Sequence, residues 1–594
     1  MKKLYIIIFS SLLFIGGCNE DFLEKLPKDQ LSEATTFTTN ANFETFAWGF
    51  YSSLRAYSSL SVFNAEWYGD LGLQASGSQG SAWLWQRIIV PSSTSSWSGP
   101  YEDIKRVNLM LDNIENGELT ADEMDHWKSV GYFFRAYEYI KLIKKYGAVP
   151  WVDKVLSEAD EEILYGPRTS RDEVAQHILD DLKWAETHIN PAGNGANTIN
   201  TNVVRALISH FGLFEGSWRK YHGLGGEQQY FQACADASSL LITAFPNLHS
   251  KYDEVFNSES LDGVNGVLLY KHYEFGQLTH YLTSRHRNSA GNWDLTKKAV
   301  DMYLCTDGQN RWTSPLFDGE EDAYDEFRNR DHRLYYTTTP PFRVIPANGG
   351  MGWNHHSDPK HREYIDLMNE LSDYEHKALP TMNWRGLIVK TEPHFRKFNE
   401  GQGYNVSYTG YRAYKFYNAF ARIQNQDYAD APIFRMGEVF VNYAEAMVEL
   451  GQFDQTIAEQ TVNKLRERGN VEPLDVSNIG DDPTRDASVS PLLWEIRRER
   501  AVELMAEGYR FDDLRRWKKL HEYGSAEKLG RYVVNANYNN RLPIQGGADE
   551  GYVSPYGVPP GVPEHYYLYP IPSDQIVLNT NLEQNPGWDD SSEE

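Results

Sequence analysis

A chain of 594 residues, 41% hydrophobic and 24% charged, is globular in composition and long enough for one large or two interlocked domains. With 57 Lys and Arg against 83 Asp and Glu, its formal charge of −26 disfavours nucleic acid, anionic lipid and any polyanionic ligand outside a local basic patch. The 16 Trp, 38 Tyr and 27 Phe suit either large cores or platforms for sugar rings, and composition does not separate those uses.

Lys2 and Lys3 precede an apolar run over residues 4–15. A run of about twelve residues is too short to span a bilayer, which takes about twenty, so the pattern predicts a secretory signal peptide. Its end, Phe14-Ile15-Gly16-Gly17-Cys18, looks like a bacterial lipobox. The mature chain is then expected to begin at Cys18 and to be anchored in a membrane by acyl chains on that residue. Of the two other cysteines, Cys234 lies in a helical pattern as a small core residue; a disulfide with Cys305 stays open.

Residues 19–39 read as an extended tether, and residues 42–57 as an amphipathic helix with Phe43, Phe46, Phe50 and Leu54 on one side. Residues 58–100 are rich in Ser and Gly, lack periodicity and carry Trp67, Tyr68, Trp83, Trp85 and Trp97, which is unusual for loops. Helical patterns follow at 101–116, 121–146, 170–189, 201–221 and 227–245. Small and aromatic residues within them are spaced as in tetratricopeptide-type helix pairs, without a strict 34-residue repeat. The array is interrupted by a mixed insert and resumes at 432–450, 454–468 and 490–523. Within the insert, residues 266–273 are strand-like, residues 300–303 are helical, and Arg330, Asp331 and Arg333 form a structural charge cluster.

Residues 493–520 carry the densest pattern. Ile496, Val502, Leu504, Met505, Phe511, Leu514 and Trp517 recur at helical spacing, while Glu495, Glu499, Glu503 and Glu507 form a ladder among Arg497, Arg498 and Arg500. One face is built for burial and the other to pair charges, and Gly508 is placed to stop or bend the helix before a second one from Phe511. Such acid–arginine density invites a catalytic interpretation, but ion pairs tying packed helices together explain it better.

This block, Glu499-Arg500 through Glu503-Leu504, Glu507-Gly508, Arg510 and Asp513-Leu514 to Arg516-Trp517, closely resembles the ERxxELxxEGxRxxDLxRW signature of the SusD/RagB family. The ending, Tyr569-Pro570-Ile571-Pro572 to Asn585-Pro586-Gly587-Trp588, resembles the family's terminal block, and Asp307-Gly308 and the 329–334 segment resemble inner ones. The resemblance implies a mainly α fold: a tetratricopeptide-like α-α superhelix with an irregular, loop-rich mixed insert. The domains expected are a signal peptide (1–17), a lipidated tether (18–40), an N-terminal helical region (41–250), a ligand-bearing insert (251–430) and a C-terminal helical region with the terminal block (431–594). Glu20 and Asp21 resemble the signal that sends Bacteroidetes lipoproteins to the outer face of the outer membrane. The family implies a surface lipoprotein that binds oligosaccharide and hands it to a SusC-like TonB-dependent transporter.

A search for chemistry finds no HExxH, Walker loop, GxSxG or GxGxxG. The His355, His356, Asp358 and His361 cluster matches no metal spacing, the acidic loop of Asp475, Asp481, Asp482 and Asp486 is the one candidate for calcium but reads better as a solvated loop, and no pair of carboxylates is marked out for glycoside hydrolysis. No cofactor, metal or catalytic residue is therefore expected, and a neutral glycan fits the charge best. The candidate ligand platforms are Trp67, Tyr68, Trp83, Trp85 and Trp97, with Trp293, Trp312 and Trp353 in the insert. Each has core packing as its competing role; polar, Gly-rich flanks rank Trp83, Trp85, Trp293 and Trp353 first. The alternatives are a peptide-binding member of the same family, a surface glycosidase, and a helix-array scaffold without a small ligand.

Overall fold

The computed structural model describes residues 36–58, 65–75, 88–287, 293–372, 376–421 and 423–588, with the backbone alone of Trp293. Cys18 and the tether before residue 36 lie outside the described residues, as do Trp83 and Trp85.

The main helices outside the insert are α1 Asn40–Ala47, α2 Ser95–Asp112, α3 Ala121–Tyr146, α4 Arg171–His188, α5 Thr201–His222, α6 Glu227–Ala244, α7 Met436–Glu449, α8 Gln455–Gln460, α9 Val462–Arg468, α10 Pro491–Glu503 and α11 Arg510–Arg516. Their starts follow local chemistry. Thr120 with Glu123, and Ser170 with Glu173, form capping boxes at α3 and α4, and the Asn200 side chain accepts from Asn202 and Val203 at α5. Consecutive helices pack as pairs: α2 on α3, α3 on α4, and α5 on α6. At Gly212 of α5 a Cβ would stand 2.6 Å from the Tyr230 carbonyl oxygen, so only glycine lets α6 approach so closely. Helix α7 then packs on α6, and α10 on α7, so the last helices complete the array begun before the insert.

Among the described residues, four small antiparallel sheets accompany the helices: β1 (Gly72–Gln74) with β3 (Trp293–Leu295), β2 (Val267–Lys271) with β7 (Ala431–Arg435), β4 (Phe342–Ala347) between β5 (Gly352–His355) and β6 (Thr391–Glu392), and β8 (Tyr532–Val534) with β9 (Glu550–Tyr552). The fold is thus mainly α and superhelical, with an irregular insert, as expected.

Three expectations shift. Helix α2 begins at Ser95, so Trp97 is helical; Thr94 caps it, and Pro100 is accommodated inside it. Residues 431–435 form β7 rather than helix, with Pro432 opposite Tyr270 in a two-stranded ribbon that can spare an N–H. The 454–468 pattern is broken into α8 and α9 at Thr461, whose backbone leaves the helical region.

The 493–520 block sits where the cores meet. Leu504 belongs to the core of the helix array, Val502 and Met505 to that of the insert, and Phe511, Leu514 and Trp517 to a third reaching Trp588. Gly508, at φ 85°, turns the chain between α10 and α11. The charged face is buried too: every residue from Leu493 to Glu503 is inside. Glu503 pairs with Arg435 (2.5 Å), Arg468 (2.7 Å) and Arg333 (3.3 Å), from β7, α9 and the insert. Arg516 holds Glu445 at 2.6 Å, and Arg500 and Arg516 each hold Asp513 at 2.9 Å. The Arg333–Asp331 pair at 2.7 Å joins this network.

Candidate functional site

The site is built on the β1–β3 ribbon, which the frame fixes from below. Arg510 of α11 donates to Asp70 at 2.7 and 2.9 Å, and Lys298 reaches the same carboxylate at 2.8 Å. Burial opposes the charge on Asp70, but Arg510 and Lys298 outweigh it and hold the carboxyl far below its ordinary range. The Gly508 N–H donates to Glu66 (2.6 Å), and the Lys528 ammonium donates to the carbonyls of Trp67 and Gly72. A Cβ on Gly72 would lie 2.7 Å from the Glu66 carbonyl oxygen, so the chain can turn into β1 this tightly only at a glycine.

In the ribbon, Leu73 pairs with Asp294 and Gln74 with Trp293. The chain therefore leaves β1 beside the residue at which it enters β3. Two tyrosines from distant segments gather at this end. The Tyr556 hydroxyl donates to the Gln74 carbonyl (2.7 Å), and the Tyr408 N–H donates to the Asp294 carboxylate (2.6 Å). Their rings stack at 6.2 Å and 30°. Beside them lies a cavity of about 350 Å³, lined also by Phe395, Arg396, Lys397, Ser407, Leu542, Pro543 and Pro555. Its volume falls within the range of about 300–1,000 Å³ usual for small-ligand clefts. Both tyrosines are partly exposed, and Arg396 and Lys397 are exposed, so ring faces and hydrogen-bond donors border one opening.

Asp294 lies beneath this opening. It is fully buried, and one carboxylate oxygen accepts from Ser407 Oγ (3.0 Å) and the N–H groups of Tyr408 and Thr409 (2.6 and 3.3 Å). Burial raises its carboxyl to about 7 in spite of those donors. It organises the 407–409 turn, and no carboxylate stands opposite it in the cavity lining.

The sequence-derived aromatics separate. Trp293 enters the ribbon at the cavity end. Trp67 is 8% exposed in the turn before β1, packed in the core of the insert, and Tyr68 is half-buried with its ring 5.7 Å from Phe511. Trp97 is 4% exposed and packs edge-on against Tyr146 at 5.0 Å. Trp312 is 38% exposed and lies under the Arg311 guanidinium at 4.5 Å. Trp353 lies on β5 opposite Pro346, half-buried and 4.9 Å from His355. No hydrogen bond or ring contact among the described residues joins Trp312 or Trp353 to the ribbon end. Tyr408 and Tyr556 were missed by sequence reasoning. Neither lies in a Trp-rich stretch, and only the fold brings them to Gln74.

The polar clusters of the sequence resolve into structural contacts. Asp482 binds Trp494 Nε1 (2.8 Å) and Arg498, Asp486 binds Lys519 (2.6 Å), and His361 Nδ1 lies 2.8 Å from the Tyr324 hydroxyl. Cys234 and Cys305 are buried free thiols, so no disulfide joins them. Among the described residues no helix is long and apolar enough to cross a membrane, and no group of His, Cys, Asp and Glu converges as metal ligands do.

Comparison with known proteins places this geometry in context. A family model described as "SusD family" matches residues 270–588, and one described as "Starch-binding associating with outer membrane" matches residues 21–201. The "SusD-like protein P25" of Formosa agariphila is 24% identical over 589 residues, covering 92% of this chain and 96% of its own length. Among solved structures, a SusD-like carbohydrate-binding protein from Bacteroides fragilis superposes with a TM-score of 0.67 at 19% identity, over 92% of this chain and all of its own. A laminarin-binding SusD-like protein superposes with a TM-score of 0.52 at 16% identity, over 93% of this chain and all of its own. At these identities the structural likeness is one of fold.

Proposed function

Since the chain belongs to the SusD family, we propose that it captures oligosaccharide at the ribbon end and hands it, uncleaved, to a SusC-like TonB-dependent outer-membrane transporter. The observation that carries the proposal is the Tyr408–Tyr556 stack at the rim of the 350 Å³ cavity, with Trp293 entering the same ribbon end. A sugar ring presents C–H faces that pack on aromatic rings, while Arg396 and Lys397 supply donors for hydroxyl groups. The ion pairs of the 493–520 block serve as the rigid frame that keeps the ribbon in place. The lipobox ending at Cys18 and the outer-membrane wording of the matching family model support a lipid anchor on the cell surface.

The ligand class expected is a neutral glycan, in keeping with the net charge of −26. Because a relative of the same fold binds laminarin, laminari-oligosaccharides are the first probes, followed by other neutral oligosaccharides. Isothermal titration should show saturable binding without product release. Tyr556→Ala, Tyr408→Ala and Trp293→Ala should each weaken it about tenfold, the 1.4 kcal/mol that a lost aromatic platform is worth. Trp83→Ala and Trp85→Ala extend the series to the chain between Ala75 and Ile88. Wild-type affinity in all five variants would remove the ribbon end as the site. Oligosaccharide cleavage abolished by a single carboxylate substitution would replace the binder with a glycosidase.

A further inference from the structure

A second cavity, of about 440 Å³, opens between α3, α5, the start of α7 and α11. Its character is opposite to that of the chain. Arg55, Lys141, Lys144, Lys145 and Arg515 line it, against only two carboxylates, Glu438 and Asp512. Both carboxylates are already engaged. Asp512 is held by Lys144 (2.5 Å) and Arg515 (3.1 Å), and Glu438 by His210 Nδ1 (2.7 Å) and the Tyr509 hydroxyl (2.8 Å). Burial and the neighbouring Lys144 push the His210 imidazole toward its neutral form, so it donates from Nδ1 to Glu438 and presents Nε2 to Lys144 at 3.3 Å.

Lys145 is the cation left over. Among the described residues no carboxylate comes within ion-pairing distance of it; its ammonium lies over the Tyr569 ring at 4.4 Å. Burial, with Arg515 beside it, draws that ammonium down to about 8. Lys141 lies over Tyr137 at 4.6 Å and Arg55 over Tyr509 at 5.0 Å, so aromatic rings seat three of the five cations around one space. A lysine in the last turn of a helix also meets the negative end of the helix dipole. That accounts for a cation at this position; the other four already have partners, Lys141 in Glu138 (2.7 Å), Lys144 and Arg515 in Asp512, and Arg55 in the Glu507 carbonyl, so Lys145 is the one of the five without a counter-charge among the described residues. An oxyanion in the cavity would give Lys145 the counter-charge the fold withholds, in a partly desolvated setting where charge-assisted hydrogen bonds are strong.

We propose that this cavity is an oxyanion site, separate from the ribbon end, for a small carboxylated or sulfated ligand of the size of an acidic sugar. Carboxylate and sulfate offer the same acceptor oxygens to Lys145, Arg55 and Lys141, and the two sources are told apart by titration. The full chain is titrated with D-glucuronate, with inorganic sulfate and with D-glucose. Glucuronate, sulfate or both should bind, and glucose should not. Whichever anion binds names the source.

Lys145→Met, which keeps most of the apolar stem over Tyr569, should weaken that binding about tenfold, and Lys145→Arg should retain it. Thermal unfolding of both variants within a degree or two of wild type shows that the loss is not misfolding; were Lys145→Met to unfold early, the milder Lys145→Gln takes its place in the titration. Absence of binding by both anions, or affinity indifferent to every Lys145 substitution, would overturn the proposal. Neutral-oligosaccharide titrations on the same variants stay at wild-type affinity, and Tyr556→Ala leaves anion binding unchanged. Either site can therefore fail while the other stands.

Discussion

Glu503 in the frame and Asp294 in the ribbon are both fully buried carboxylates, yet they are satisfied in opposite ways. Around Glu503 stand the guanidiniums of Arg333, Arg435 and Arg468. Burial alone would favour its neutral form, but the three cations outweigh it, and its carboxyl titrates well below the ordinary range. Around Asp294 stand a hydroxyl and two backbone N–H groups, burial wins, and its carboxyl rises to about 7. The frame therefore holds permanent charge that locks four segments together. The ribbon end holds a group whose charge changes near neutrality, under the surface proposed to exchange a ligand.

If that contrast is right, the frame breaks hardest. Glu503→Gln leaves three buried guanidiniums short of an anion, and a loss of about 3–5 kcal/mol in folding stability is expected, read by urea unfolding. The sign with pH follows from the depressed carboxyl. Its contribution is complete above the unfolded value of about 4.3 and is lost only as pH falls through the lower folded value. The difference between wild type and Glu503→Gln should thus be flat from pH 6 to 8 and close only in strong acid. A variant as stable as wild type at pH 7 would show that the network is ornamental.

Asp70→Asn tests the joint between the two regions. It leaves Arg510, whose side chain is 7% exposed, without its bidentate partner, and a loss of about 3 kcal/mol is expected. Because Asp70 stands two residues before β1, glycan affinity should fall with stability, whereas Glu503→Gln should leave the affinity of the folded fraction unchanged. Equal binding by the two variants would mean that the frame does not set the ribbon's position.

The reverse pattern belongs to the ribbon rim. Tyr408→Ala removes a half-exposed ring, so stability should change by less than about 1 kcal/mol while glycan affinity drops about tenfold. Trp312→Ala is the matched control. Its indole is 38% exposed under Arg311, with no contact to the ribbon among the described residues, and its removal should leave affinity at the wild-type value.

The frame was legible in sequence because its physics is local and periodic. The ladder of Glu499, Glu503 and Glu507 follows the helical repeat, Gly508 marks the turn, and the capped starts of α3 and α4 carry their own signals. What the pattern did not disclose is that the charged face is as buried as the apolar one, since periodicity tells faces apart but not what each meets. The ribbon end was hardly legible. It is assembled from residues 72–74, 293–295, 407–409 and 556, which share no motif and are joined by single contacts such as the Tyr556 hydroxyl on Gln74. Trp97 looked like a loop aromatic because residues 58–100 are rich in Ser and Gly and lack periodicity, yet α2 begins at Ser95 and runs through Pro100. Tryptophan density drew attention to Trp293 of this ribbon but passed over the tyrosines beside it.

The smallest effect is the most specific. Asp294 keeps its proton in the native state up to about 7, whereas an unfolded aspartate loses its own near 3.9. Between those values the native state binds more protons than the unfolded one, so the contribution of Asp294 to stability declines as pH rises and levels off above about 7. That direction is the opposite of the one expected for Glu503. Asp294→Asn has no charge to gain and serves as the reference. The stability of wild type relative to this variant should decrease steadily between pH 4.5 and 7 and stay constant from 7.5 to 9. A difference that is flat across the whole range would mean that Asp294 is ionised in the native state throughout. The ribbon would then hold a fixed charge, as the frame does, and the contrast between the two regions would fail.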